Sequence, residues 1–243
     1  MVNRYAWIPA ILLSLASCNL VKENRDSCPC LLTVELTGVP GCDAFLKVGD
    51  TVMRVERDTV AKLYVPRGPV VITAYSGAVP SGDTFFIKEG HDAPPLFLNH
   101  CTVQATEDRH HVIMALNKQF VNLRLSMTGP PGWGEPFMTR IRGSVCGISV
   151  SGKPVEGPFE VMPGSCPEVR LLRQYPDSPL FLDIIMSDSL LRSFSLSSAI
   201  QKASFDWTGP SLGDLELHLD LSVTALKISQ SVPSSPDVLS VEI

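Results

Sequence analysis

Residues 215–224 read Leu-Glu-Leu-His-Leu-Asp-Leu-Ser-Val-Thr, and this stretch decides the fold. Every second residue is apolar, and the residues between are charged or polar. A helix would scatter that pattern around its circumference. A strand places Leu215, Leu217, Leu219, Leu221 and Val223 on one face and Glu216, His218, Asp220, Ser222 and Thr224 on the other. The stretch therefore predicts a half-buried strand with one wet face. The phase breaks at Ala225-Leu226, which predicts a turn or bulge before a last strand over 226–229.

The same period recurs upstream. Ala44, Leu46 and Val48 alternate with Phe45 and Lys47, and Ala61, Leu63 and Val65 alternate with Lys62 and Tyr64. Val121, Leu123, Leu125 and Met127 repeat the pattern, as do Leu180, Leu182, Ile184 and Met186. Residues 70–75, Val-Val-Ile-Thr-Ala-Tyr, are rich in β-branched residues and bounded by Gly68-Pro69 and Gly77. Helical signal is scarce. Residues 197–204 predict one short helix, with Asp188 or Ser189 as its cap and Leu190-Leu191 in a preceding turn.

The chain has 243 residues, enough for one large or two ordinary domains. Its 20 prolines and 17 glycines are spread along it, which suits many short strands joined by turns. The fold class expected is all-β, two β-sandwich domains in tandem. A boundary fits near 117–119, where a new alternating strand begins after the polar stretch 106–111. This divides the chain into a first sandwich over 30–118, a second over 119–231, and a tail over 232–243 that starts Val-Pro-Ser-Ser-Pro.

The N-terminus reads as an export signal over 1–17. Arg4 supplies positive charge, Ala6–Leu15 an apolar run, and Leu15-Ala16-Ser17-Cys18 small residues at a cleavage point between Ser17 and Cys18. The run is shorter than the roughly 20 residues of a membrane span. Residues 18–29 then form a polar tether. Of the seven cysteines, six follow Cys18: Cys28, Cys30, Cys42, Cys101, Cys146 and Cys166. In an exported chain they are candidate disulfide partners, and sequence does not choose among the connectivities. Cys28 and Cys30, two apart, are expected to face one side of a strand, with a buried free thiol as the alternative.

Chemistry-bearing motifs are few. Cys28-Pro29-Cys30 has no second Cys pair, so no metal site is expected. Glu107-Asp108-Arg109-His110-His111 is the densest polar cluster, but adjacent histidines on a strand point to opposite faces, so it reads as a solvated loop entering a strand. Gly129-Pro130-Pro131-Gly132-Trp133-Gly134 lacks the N–H donors of a phosphate loop, since proline has none. No nucleophile, base and orienting group stand together, so neither an enzyme nor a cofactor is expected. Charged residues are 19% and the net charge is −5, which argues against a nucleic-acid partner.

Three stretches carry a resemblance. Leu15-Ala16-Ser17-Cys18 resembles the lipobox of bacterial lipoproteins, which implies an acylated Cys18. Residues 18–38, CNLVKENRDSCPCLLTVELTG, resemble the start of the FimB-type fimbrial anchor family of Bacteroidales: a lipobox cysteine, a charged tether, a Cys-Pro and a first strand. Residues 204–232, SFDWTGPSLGDLELHLDLSVTALKISQSV, resemble that family's closing Asp-Trp and paired strands, and residues 138–157 are similar to its mid-domain strand pair. The tail 232–243 has no place in the family pattern.

The resemblance implies two transthyretin-like sandwiches on a lipoprotein of the outer membrane at the base of a fimbrium. It also implies a fimbrial shaft subunit as partner, held by strand addition, and outer-membrane lipid as a second partner through Cys18. The alternative left open is a surface lipoprotein that binds glycan or another ligand through its loops, with Trp133 or Trp207 stacking on sugar. Trp207 is expected in the core or at a domain corner. The apolar tail reads either as a donor strand for a partner or as an edge strand of its own domain.

Overall fold

The computed structural model describes residues 28–231 except 42, 57–58, 130–136, 164–167, 187 and 221–224, with the backbone alone for 225–231. The described residues form seventeen strands and one short helix. The expected all-β fold is what the structure has.

The first half contains β1 (Cys30–Thr37), β2 (Ala44–Val48), β3 (Thr51–Val55), β4 (Val60–Val65), β5 (Gly68–Ser76), β6 (Thr84–Phe86), β7 (Phe97–Ala105), β8 (Arg109–Ala115) and β9 (Asn117–Lys118). One sheet has the order β4-β1-β8, the other β3-β2-β5-β7-β9. The alternation read from the sequence becomes burial. Leu32 and Val34 of β1, Leu46 of β2 and Ile72 of β5 are wholly buried between the two sheets. Burying each such side chain contributes about 1.5–3 kcal/mol.

The second half contains β10 (Phe120–Thr128), β11 (Phe137–Ser149), β12 (Pro154–Val161), β13 (Glu168–Leu172), β14 (Leu180–Met186), β15 (Ser189–Ser195), the helix α1 (Leu196–Lys202), β16 (Asp214–Asp220) and β17 (Ala225–Ser231). Its sheets have the orders β13-β10-β16-β17 and β12-β11-β14-β15. Leu215, Leu217 and Leu219 of the deciding stretch all enter the core between them, while Leu221 and Val223 lie outside the described residues. The last strand spans Ala225–Ser231 and forms a hairpin with β16, Asp220 opposite Ala225.

The two halves repeat one topology. In each, the first strand pairs antiparallel with the fourth (β1 with β4, β10 with β13) and parallel with a late strand (β1 with β8, β10 with β16). The opposite sheets match as well: β3-β2-β5-β7 corresponds to β12-β11-β14-β15. The chain passes from one set of sheets to the other between β9 and β10, at Gln119.

A third core joins the halves. Tyr75, Phe85, Leu96 and Leu98 from the first pack with Phe120, Ile148 and Leu172 from the second. Phe85 lies on β6, which leaves its own half and pairs with β11 across Gly147–Ser149. Gly77 lets the chain turn toward this junction. Its φ is +80°, and a Cβ there would lie 2.0 Å from the Pro95 carbonyl oxygen, so no side chain fits.

The helix differs from its expectation. It runs from Leu196 to Lys202, and its cap is Ser195, whose Oγ accepts a hydrogen bond from the Ser198 N–H at 3.3 Å. Leu190 and Leu191 belong to β15 instead, and Asp188 sits in the β14–β15 turn with φ +60°. Pairing with β14 overrides the local turn signal there.

Candidate functional site

The candidate site is the three-stranded sheet of the first half, its outer face and the edge at β8 that is unpaired among the described residues. The outer face follows from register. Tyr64 stands beside Leu31, Lys62 beside Thr33 and Val60 beside Glu35 on one side of β1; Arg109, His111 and Ile113 flank the same three residues on the other. Tyr64 is 72% exposed and Ile113 63%, well above ordinary values for such side chains. His111 Nε2 lies 3.5 Å from Glu35 Oε2 across this face.

Of the cluster 107–111, Arg109, His110 and His111 begin β8, and the two adjacent histidines project to opposite faces, as their alternation requires. Among the described residues no three His, Cys, Asp or Glu side chains gather to hold a metal.

Arg67 closes the far end of this sheet. Its Nε donates to the Cys28 carbonyl at 3.0 Å, and its other nitrogens donate to the Thr106 carbonyl and the Asp108 carboxylate. The entering chain is thereby tied to the β7–β8 turn. Since β1 and β8 are parallel and β8 runs toward Gln119, Cys28 lies at the end of the first half remote from the second.

Four of the six candidate disulfide cysteines are described, and all four are free thiols. Cys28 is exposed, Cys30 buried, and Cys101 and Cys146 partly buried; Cys42 and Cys166 lie outside the described residues. Cys28 lies outside the strand that Cys30 opens. The strand begins only at Cys30, so its two-residue period does not extend back through Pro29 to Cys28. Burial pushes the Cys101 thiol up from its ordinary value. Ser17 and Cys18, the expected cleavage and lipid positions, lie outside the described residues, as do Trp133 and residues 232–243.

A second feature lies on the outer face of β11 and β14, which no sequence motif marks. Asp183 is wholly buried, although it points away from the core. Arg140 donates to its Oδ2 at 2.9 and 3.2 Å, Arg142 donates to the same oxygen at 2.9 Å, and Ser193 donates to Oδ1 at 2.6 Å. Burial by itself would raise the carboxyl's pKa, but the bonds from Arg142, Ser193 and Arg140 outweigh it and hold Asp183 below the usual carboxylate range. Arg142 also stacks on Phe181, 4.4 Å from the ring centroid, at the wall of an open cleft of about 600 Å³. Lys88, Glu89, Ser144 and Phe159 complete that wall. Only the pairing of β11 with β14 brings Arg140, Arg142 and Asp183 together.

Trp207 is buried in the second core and meets Phe205 edge to face at 4.9 Å. It offers no surface for a sugar. Arg173, also buried, donates to Gln119 Oε1 at 2.8 Å, to the Trp207 carbonyl and to the Pro210 carbonyl at 3.3 Å, and so ties the inter-half segment to the loop after α1.

In sequence the chain matches no protein-family model and no curated protein. In structure it is similar to the fimbrial anchor protein Mfa2 from Porphyromonas gingivalis, with a TM-score of 0.60 at 11% identity, covering 84% of this chain and 98% of that one. The chain shares that fold. A protein from Bacteroides ovatus provisionally described as an adhesin matches with a TM-score of 0.61 at 12% identity, covering 87% of this chain and 95% of that one. One from Bacteroides thetaiotaomicron, provisionally described as polysaccharide-binding, matches with a TM-score of 0.60 at 13% identity, over 83% and 96% of the two chains. No helix among the described residues is long and apolar enough to cross a membrane.

Proposed function

We propose that this protein is a lipid-anchored fimbrial anchor or minor subunit, which attaches or nucleates a fimbrial shaft at the bacterial outer membrane through strand-mediated contacts. Its domains are the sandwiches 30–118 and 119–231, on a tether acylated at Cys18. The observation that carries this reading is the fold, shared with a fimbrial anchor protein over 84% of this chain and 98% of that one. The placement of Cys28 supports it. A lipid ten residues upstream would hold the first half at the membrane and project the second away from it. The edge of β8, unpaired among the described residues, suits a partner that adds a strand, because unpaired backbone groups give affinity and alternate side-chain positions give specificity.

The test is removal of the protein from its native cells, with shaft subunits assayed in cell and medium fractions. Shafts released into the medium, or altered in length, and the same result from Cys18→Ala, are the outcome expected. Unchanged fimbriae would sink the anchor role.

A second reading, glycan binding at the surface, is favoured by the cleft walled by Arg142, Phe181, Lys88 and Glu89. It requires oligosaccharide binding that Phe181→Ala abolishes; a blank glycan array on the intact protein would remove it.

A further inference from the structure

The cleft beside the Asp183 network opens where one edge of β11 changes partner. β12 runs along the other edge, so β14 and β6 share this one: β14 pairs with Phe137–Gly143 and β6 with Gly147–Ser149. The cleft of about 600 Å³ at this step is lined by Lys88 and Glu89 beyond β6, by Pro179 and Phe181 around the start of β14, and by Arg142 and Ser144 of β11. Its size lies within the range of about 300–1,000 Å³ in which small ligands are commonly held. Ile87 sets the phase of the edge, since its N–H donates to the Cys146 carbonyl at 2.8 Å. Two residues earlier, the Ser144 N–H and carbonyl face the same way, into the cleft. Continued by one residue, the register sets Pro179 opposite Ser144, and proline has no N–H to give that carbonyl.

Arg142 is the most firmly held charge in this cleft. Its Nε donates to Asp183 Oδ2 at 2.9 Å, and the Phe181 ring centroid lies 4.4 Å from its guanidinium carbon, yet 41% of the side chain stays exposed. Fixed at one edge and one face, the guanidinium is a preformed fork, and a ligand that takes its remaining nitrogens orders little that is not already ordered. Asp183 does not use up its charge, because the same oxygen also accepts from Arg140. Glu160 stands opposite Arg142 in register, but its carboxylate lies 3.6 Å from Arg140. One buried carboxylate therefore serves two guanidinium groups, and Lys88 adds a further positive charge to the wall.

We propose that this cleft holds a carboxylated sugar, a uronic acid unit of a glycan, with its carboxylate on the fork of Arg142 and beside Lys88. A planar carboxylate matches the planar guanidinium and takes two parallel hydrogen bonds from it. The ring hydroxyls suit the other groups of the wall, because the Ser144 carbonyl and the Glu89 carboxylate accept hydrogen bonds and donate none. A phosphate group, with nearly two charges, meets repulsion from Glu89 and Glu160 that a single carboxylate feels less. A neutral sugar gives the fork no charged partner. The inference rests on the glycan reading of the cleft and names the class of sugar.

Titration calorimetry of the intact protein with trigalacturonate and with its methyl ester tests it, since esterification removes the charge and keeps the sugar. The acid should bind at least about tenfold more tightly than the ester, and the difference should shrink as salt is raised. Arg142→Lys keeps a positive charge but loses the fork, and should bring the acid down to the affinity of the ester. Lys88 is exposed and takes no part in the Asp183 network, so Lys88→Ala probes the same wall without disturbing the fold. It should weaken the acid about threefold and leave the ester unchanged. Equal affinity for acid and ester overturns the proposal and leaves the glycan reading standing. Binding of neither removes both. A preference for the acid that survives in both variants places the carboxylate elsewhere and overturns the proposal, as does equal binding of tetraglutamate, which would give the cleft to acidic peptides.

Discussion

The two halves are built to one plan and finished differently. Both place an early strand between an antiparallel and a parallel neighbour, and both face that sheet with a four-strand run of matching order. The first half joins β7 to β8 by residues 106–108, and β8 is an edge among the described residues. The second half joins β15 to β16 by residues 196–213, which hold α1, Trp207 and Leu212 against its core, and β17 covers β16. The second half also carries the buried Asp183 network on its outer face. Alternating apolar residues thus set the shared framework, and the connections and edges set what each half presents to other molecules.

The largest effect is expected where the halves depend on each other. Phe85→Ala should cost about 3–5 kcal/mol, because it empties a wholly buried site shared by both. Calorimetry should show one thermal transition in the native protein and two in the variant. A single transition in both would mean that the halves are coupled by something other than this third core.

The Asp183 network separates the halves next. Replacing Arg140 and Arg142 together by alanine leaves a buried carboxylate with only Ser193, and should cost about 3–5 kcal/mol. The loss should appear in the second half alone, in urea unfolding followed by residue-resolved NMR. Loss spread evenly over both halves would mean that the third core transmits it from one sandwich to the other.

Acid should weaken the same half first. Asp183 is held below the usual range as described. Asp214 is too: burial would raise it, but its bonds from Lys118 and the Asn122 N–H prevail. Because the folded values lie below the unfolded value of about 3.9, the stabilisation is complete above that pH and is lost as pH falls through the folded values. Trp207 fluorescence should therefore change before the methyl NMR signals of Ile72 in the first core do in an acid titration. The reverse order would assign the acid-sensitive charges to the first half.

Two smaller effects sharpen the picture. Ser195→Ala removes the cap of the one helix among the described residues, which lies in the second half, and should cost about 1 kcal/mol by denaturant midpoint. Among the described thiols of the first half, Cys28 should be alkylated well before Cys30 and Cys101, as mass mapping under native conditions would show. Its exposure makes it accessible, while burial both shields Cys101 and raises its pKa.

Much of the framework was legible in the residues themselves. The alternations over 44–48, 61–65, 121–127, 180–186 and 215–219 are all strands, because a two-residue period has one simple way to bury its apolar set. The helix was legible only in outline. Its cap lay several residues later than the turn signals suggested, since β15 claimed Leu190 and Leu191 through pairing with β14. The candidate site was barely legible. The cluster 107–111 showed where polar residues enter a strand, but nothing local indicated that β8 would be parallel to β1 and would end its sheet. Likewise Arg140, Arg142 and Asp183 are ordinary charges on alternating strands until two strands 40 residues apart are set in register.

The sequence by itself determined the strands that carry an unbroken two-residue alternation and which side of each is dry, because those follow from spacing along one chain. The tertiary structure alone decided the partner of each strand, the third core between the halves and the place of β8 at the end of its sheet among the described residues. These depend on contacts between segments far apart in the chain, and no local pattern encodes which distant segment will complete the burial of a given face.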